Sequence, residues 1–134
     1  MSVHLRHFIR YQFPAIGWAL LIFIGSSIPS KYFPSSTIFT YDKLIHTFLF
    51  FVLGVFVYRA LTPYQNRHEI NWRRLIISIL IVVGYGTLDE LHQGIVPGRS
   101  LDFYDGIADT IGGLLAALLI IYLAKRNKAI KVSE

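Results

Sequence analysis

Four stretches of this chain are apolar over about the length a helix needs to cross a bilayer: residues 13–28, 43–61, 75–93 and 103–124. A span takes roughly 20 predominantly apolar residues. The apolar residues come in blocks, and no block keeps the polar face that a soluble bundle would turn to water. Composition agrees: 54% of residues are hydrophobic and 16% charged, whereas soluble domains carry about a quarter charged. The run Leu75 to Val83 is β-branched enough for a strand, but its length and flanks favour a helix. The expectation is an all-α fold, an integral-membrane four-helix bundle forming one domain over residues 1–134.

The ends follow from local signals. Met1 to Gln12 reads as a short polar leader. The first block has the outline of a signal peptide, but Ser26 and Ser27 make no clear A-x-A-like cleavage site. A retained helix ended by Pro29 is expected, with Tyr11 and Trp18 near one interface. Pro34 with Ser35 and Ser36 marks a loop, as do Pro63, Asn66 and Arg67 further on. Lys125 to Glu134 reads as a frayed basic tail. Four crossings put both termini on one side. That side holds Arg6, Arg10, Arg59, Arg67, Arg73, Arg74, Lys125, Arg126, Lys128 and Lys131; the other holds Lys31, Lys43 and Arg99. The positive-inside rule therefore places both termini in the cytoplasm. The net charge of +5 sits beside apolar segments, so anionic lipid headgroups explain it and nucleic acid does not. With no cysteine, disulfides, thiolate zinc sites and cysteine nucleophiles are excluded.

Between Tyr85 and Asp109 lie five of the eight acidic residues, flanked by membrane-length runs. Ionisable groups at membrane depth are costly and mark functional sites by default. Asp89, His92 and Gln93 share a face of the third helix, and Glu90 is spaced to pair with Gln93. Asp102, Asp105 and Asp109 form one stripe on the fourth helix, continued by Gly112, Gly113 and Ala116, which permit close helix approach. Asp42 and His46 share a face at the same end of the second helix. The binding candidates are thus His46, Asp89, Glu90, Gln93, Arg99, Asp102, Asp105 and Asp109. Of these, His46, Glu90, Asp105 and Asp109 are the candidates for acid–base catalysis.

Plainer roles compete at each position. Asp102 and Asp105 have the spacing of an N-cap and an N3 acid. Asp42 reads as the N-cap of the second helix, with Lys43 snorkelling to the interface. Arg99 suits a phosphate or carboxylate ligand, or a salt bridge to Asp102 or Asp105. Asp109 lies about 10 Å further along the axis than Asp102, too deep for a cap. His92 could face the headgroups. Ser26, Ser27 and Tyr85 could line the same cavity or bond nearby backbone. His4, His7 and His68 read as solvated, and Gly54, Gly86 and Gly106 as helix-packing positions.

Three pieces of the chain belong together. They are Tyr41-Asp-Lys-Leu-Ile-His46 with Phe48 and Gly54; Tyr85-Gly-Thr-Leu-Asp-Glu-Leu-His-Gln93 followed by Val96-Pro-Gly-Arg99; and Asp102, Asp105, Asp109 and Gly112. With Ser26 to Pro29, they resemble the D-K-x-x-H, D-E-x-x-Q…P-G-R and D-x-x-x-N-x-x-G patterns of the VanZ-like family of bacterial membrane proteins. The likeness runs in order over roughly residues 17–120, and the D-E-x-x-Q…P-G-R block is its most specific part. Asp109 departs from it, standing where the family often has asparagine, and adds a possible acid. The resemblance implies a multi-pass protein of the bacterial cytoplasmic membrane. It also points to envelope or antibiotic response, since the founding member is associated with low-level teicoplanin resistance by a route that leaves peptidoglycan termini unaltered.

Three mechanisms suit these residues. The first is a binding protein that takes a lipid headgroup or a glycopeptide in an outward-facing polar pocket. The second is an integral-membrane enzyme on an envelope lipid, with a divalent ion available to its carboxylates and His46. The third is a small transporter. A purely structural polar clasp would also account for the cluster.

Overall fold

The computed structural model describes residues 3–32, 38–62 and 70–132, with no strand among them. Four helical rods carry the chain. The first, α1, runs through Val3–His7, a π turn at Phe8–Gln12, and Phe13–Ser26. The others are α2 (Ile38–Leu61), α3 (Trp72–Gln93) and α4 (Phe103–Val132). Each contains a segment long and apolar enough to span a membrane: Leu5–Ser26, Tyr41–Leu61, Trp72–Gln93 and Phe103–Ala129. The expected loop residues Pro34, Ser35, Ser36, Pro63, Asn66 and Arg67, and also His68, lie outside the described residues.

Helix ends differ from expectation for local reasons. The leader is not a separate polar arm; it is the first turns of α1. Pro14 has no N–H and its ring crowds the carbonyl four residues earlier. The turn ahead of it widens, and the Phe13 N–H reaches back five residues to the Phe8 carbonyl, a common response to an interrupted hydrogen-bond ladder. Pro29 does stop α1, which closes at Ser26 and gives way to a 3-10 turn at Ser30–Tyr32. The second helix begins at Ile38, so Asp42 lies inside it and is not its N-cap. Asn71 caps α3 by accepting the Arg74 N–H at 3.1 Å, starting that helix at Trp72 and not Leu75. The tail is helical: α4 continues past Ala124 through the basic residues to Val132. Its 30 residues extend about 45 Å, well beyond a hydrocarbon core of about 30 Å.

The bundle inverts the polarity of a soluble protein. Leu20, Leu44, Phe48, Leu80, Leu88 and Leu118 are all more than half exposed. Asp89, Glu90, Asp105 and Asp109 are buried. Such an outer surface suits lipid, since water tolerates only small apolar patches. Below the polar residues, Ile22, Phe50, Leu53, Val57 and Val82 form a dry core. Trp18 is not an interfacial anchor; its indole N–H donates to the Leu49 carbonyl at 2.9 Å and ties α1 to α2. Tyr85 makes the matching tie from α3, donating to the Ala19 carbonyl at 2.6 Å. Tyr11 is buried, with the guanidinium groups of Arg10 and Arg59 within 5.7 and 5.5 Å of its ring.

The α2–α4 contact is the closest approach. The two helices run parallel, because both begin at the polar end of the bundle. A Cβ at Gly54 would sit 2.7 Å from the Ala116 Cβ, and one at Gly113 would sit 2.9 Å from Val82 Cγ1. At Gly112 it would strike the Thr47 carbonyl and lie 2.8 Å from the Phe51 nitrogen. Those are backbone atoms and cannot step aside. Gly86 is packed against Asp109 and Phe50 in the same way, whereas Gly106 has only an ordinary 3.9 Å neighbour in Glu90. We expect Gly112→Ala to lower stability by about 1–3 kcal/mol, the usual cost of overpacking. Gly17→Ala, where a Cβ meets nothing within 4 Å, should be neutral or stabilising by up to about 1 kcal/mol. Thermal unfolding in detergent measures both; equal effects would contradict the close α2–α4 approach.

Candidate functional site

The site is built where α1 and α3 end and α2 and α4 begin. The turn between α3 and α4 sets its geometry. Pro97 and Gly98 occupy the middle of a tight turn closed by the Arg99 N–H on the Val96 carbonyl at 3.0 Å. Gly98 has φ +77°, which the second central position of a type II turn requires. A Cβ there would also collide with the Ser30 hydroxyl. This turn directs Arg99 back under the helix ends. Its Nη1 donates to Gln93 Oε1 at 2.9 Å, and its Nε and Nη2 donate to the carbonyls of Ile28 at 3.2 Å and Gly25 at 3.4 Å. Those carbonyls belong to the last turn of α1 and the residues just past it, where intrahelical donors run out. Arg99 therefore fastens α1 to α3.

The acids at the start of α4 take their cation from elsewhere. Lys43 Nζ donates to Asp102 Oδ2 at 2.8 Å and to Asp105 Oδ1. This is more than the snorkelling expected of Lys43; its place beside Asp42 and three residues before His46 on the second helix is the sequence signal for it. Asp102 is the N-cap of α4, accepting the Tyr104 N–H at 2.8 Å. The second half of a capping box is supplied across the bundle: the Asp102 N–H donates to Glu90 Oε2 at 3.0 Å. Glu90 thus does not pair with Gln93, as its spacing suggested. Gln93 bonds Asp89 Oδ2 at 2.9 Å, and Asp105, freed from the cap, turns into the bundle. The Lys43 ammonium, and then the Tyr104 N–H, hold the Asp102 carboxyl below the usual carboxylate range. Its contribution to stability is complete above the ordinary carboxylate pKa and is lost as pH falls through the lowered value.

Deeper still, His46 Nδ1 lies 2.9 Å from Asp109 Oδ1 and 4.0 Å from Glu90 Oε1. His46 Nε2 lies 3.8 Å from Asp42 Oδ1. All three deep residues are buried, Asp109 to within 1%. The His46 ring stacks parallel to Phe50, which floors the polar layer with a dry one. Above it opens a cavity of about 580 Å³. Asp42, Lys43, Asp89, Gln93, Arg99 and Asp105 contribute to its wall, with His46 at the inner end. Asp102 and the hydroxyls of Ser26, Ser30 and Ser100 complete the polar lining.

Sequence-predicted residues divide on this geometry. His46, Asp89, Gln93, Arg99, Asp102 and Asp105 border the cavity, while Glu90 and Asp109 stand behind His46. His92 stands apart from the cavity. It is half-buried and stacks on Phe23 at 4.7 Å, and its Nε2 lies 2.9 Å from Ser27 Oγ. The Ser27 hydroxyl proton is used on the Phe23 carbonyl, so His92 Nε2 donates. His7 is exposed beside Tyr11; the side chain of His4 is outside the described residues. Ser30 and Ser100 are cavity residues that sequence reasoning did not nominate, while Asp42, expected on the His46 face and as a helix cap, lies in the cavity wall.

Over residues 8–125 the sequence matches the model of a protein family described as VanZ/LLP1. No curated protein and no solved structure matches the chain.

Two substitutions test the site's framework. Lys43→Met should lower stability by about 1–2 kcal/mol, discounted from the cost of breaking a buried pair because Lys43 is half exposed. Adding Asp105→Asn should recover part of that loss in a double-mutant cycle. Glu90→Ala should cost about 1–3 kcal/mol by stranding the Asp102 N–H, whereas Glu90→Gln keeps an acceptor and should cost less. If the two Glu90 variants were equally stable in detergent, the interhelical cap would be ruled out.

Proposed function

This chain belongs to the VanZ/LLP1 family, and we propose that it is a multi-pass protein of the bacterial cytoplasmic membrane whose outward-facing cavity binds a hydroxyl-bearing headgroup of an envelope glycolipid or glycopeptide. The orientation rests on charge: ten of the thirteen basic residues fall on the side assigned to the cytoplasm. The observation that carries the ligand class is the cavity wall. Its volume of about 580 Å³ suits a small-molecule-sized group. Four carboxylates, those of Asp42, Asp89, Asp102 and Asp105, border it together with serine hydroxyls. Lys43 is engaged by two of the four. A bare phosphate would face more anions than cations there. Sugar hydroxyls or an amine would meet acceptors, and teicoplanin-type glycopeptides carry both kinds of group. A role in envelope or antibiotic response follows as part of the same proposal.

An enzyme acting on an envelope lipid is the second reading. It is favoured by the buried contact of His46 with Asp109 at the cavity's inner end, a pairing that orients an imidazole for proton transfer. His46, Glu90, Asp105 and Asp109 would be its acid–base groups. Transport is less well supported, because the dry core around Phe50, Leu53 and Val82 lies directly below the site.

Binding can be measured with the purified protein in phosphatidylcholine nanodiscs containing a chelator. Diglucosyl diacylglycerol and teicoplanin should bind in preference to phosphatidylglycerol. Asp42→Asn should weaken that binding by roughly tenfold or more, the worth of one hydrogen bond to a charged group. Preference for phosphatidylglycerol, or indifference to Asp42→Asn, would overturn the headgroup assignment. Thin-layer analysis of lipid mixtures tests the enzyme: product formed by the wild type and not by Glu90→Gln supports it, and no turnover counts against it.

A further inference from the structure

Behind the cavity, three ligand-type side chains from three helices converge on one point: His46 from α2, Glu90 from α3 and Asp109 from α4. One donor atom from each lies within 4.8 Å of the others. All three are at least nine-tenths buried. Their hydrogen bonds leave two oxygens over. Glu90 uses Oε2 on the Asp102 N–H, and Asp109 uses Oδ1 on His46; Glu90 Oε1 and Asp109 Oδ2 are buried with no hydrogen-bond partner. Asp89 Oδ1, on the residue just before Glu90 in α3, is unpartnered in the same way. A buried acceptor without a donor costs about 1–3 kcal/mol, and more when it is charged. Two such oxygens beside one imidazole, with a third on the residue next to Glu90, are not explained by helix capping or packing.

Charge points in the same direction. Asp42, Asp89, Glu90, Asp102, Asp105 and Asp109 make six carboxylates around the site, against Lys43, Arg99 and at most a protonated His46. At membrane depth such an excess of anions is strongly disfavoured. We propose that His46, Glu90 and Asp109 hold a divalent first-row metal ion, with manganese or zinc as the class of ion, at the inner end of the cavity. One nitrogen with carboxylate oxygens suits these ions better than magnesium, which prefers oxygen and its own waters. A second ligand-type group, Asp42, His46 and Asp105, lies nearer the cavity mouth. It is the weaker candidate because the Lys43 ammonium already occupies Asp105. In the deeper site, His46 bound through Nδ1 turns Nε2 towards Asp42, the carboxylate-to-imidazole arrangement that orients metal-bound histidines. The metal does not depend on which headgroup fills the cavity, and the chelator in the binding assay above keeps the two questions separate.

The test uses the full chain in nanodiscs, stripped with chelator and titrated separately with Mn²⁺, Zn²⁺ and Mg²⁺ by calorimetry. One equivalent of Mn²⁺ or Zn²⁺ should bind and raise the unfolding temperature, as any ligand of the native state does. Asp109→Asn and Glu90→Gln should weaken binding by on the order of 10- to 100-fold or more. His92→Ala, at a histidine packed on Phe23 and away from the three ligands, should leave it unchanged. Pulsed electron paramagnetic resonance of Mn²⁺ bound to the wild type should show nitrogen-14 coupling from one imidazole, a readout that needs no variant to fold. Absence of stoichiometric binding by the folded wild type, bound Mn²⁺ without nitrogen coupling, or full affinity in a folded Asp109→Asn would each overturn the proposal.

Discussion

The approach of α2 to α4 sets the register of the polar groups along the seam between them. Two parallel helices rarely come this close unless the facing surfaces are stripped of side chains; Gly54 on α2 and Gly112 on α4 strip them, while Gly113 makes the matching room for Val82 of α3. The register they set then runs upward along the seam. Phe50 and Phe51 lie against Gly112, Thr47 donates to the Ala108 carbonyl at 3.2 Å, His46 meets Asp109, and Lys43 meets Asp102 and Asp105. The polar contacts are not an independent cluster grafted onto a bundle. They are the continuation of a packing seam, beginning where the glycines stop.

The third helix completes the site from the other side, and it runs antiparallel to both partners. Its last turns bring Asp89, Glu90 and Gln93 to the level where α4 starts. That geometry lets Glu90 receive the Asp102 N–H, so one buried carboxylate serves both as an interhelical cap and as a wall of the deeper layer. Arg99 then closes the remaining gap to α1. Lys43, Gln93, Arg99, Asp102 and Asp105 thus each serve twice, in joining helix ends and in shaping the cavity.

Much of this was legible in the sequence, and what was not has a common cause. Blocks of apolar residues revealed the four spans, the D-x-x-D spacing revealed Asp102 as a cap, and the small-residue stripe revealed the packing face of α4. Each of those is a local signal. The partners of Glu90 and Lys43 lie 12 to 62 positions away, so i, i+3 spacing on one helix misassigned Glu90 to Gln93. Asp42 looked like a cap because polar residues commonly start helices. The helix in fact begins earlier, at Ile38, directly after Ser35, Ser36 and Thr37, residue types that favour loops and helix starts alike. The helical tail was missed because basic residues suggest solvent, although lysine and arginine are good helix formers and favour helix C-termini.

Electrostatics separates the ordinary part of the polar cluster from the rest. Carboxylates are favoured at helix N-termini and cations at C-termini. Asp102 and Asp105 on the first turn of α4, and Arg99 on the last carbonyls of α1, satisfy that rule and would be expected in a bundle with no function at all. The effect fades within one turn. Asp109 lies about 10 Å below Asp102, beyond the reach of the helix dipole, and Glu90 and Asp89 sit at a helix C-terminal end, where a negative charge is disfavoured. Among the described residues, His46 is the basic side chain that approaches Glu90 and Asp109. What capping cannot account for is therefore this inner layer, in which three carboxylates oppose a helix end, a low-dielectric floor and one another. A bound cation or ligand would relieve all three, as would a proton on the buried carboxyls.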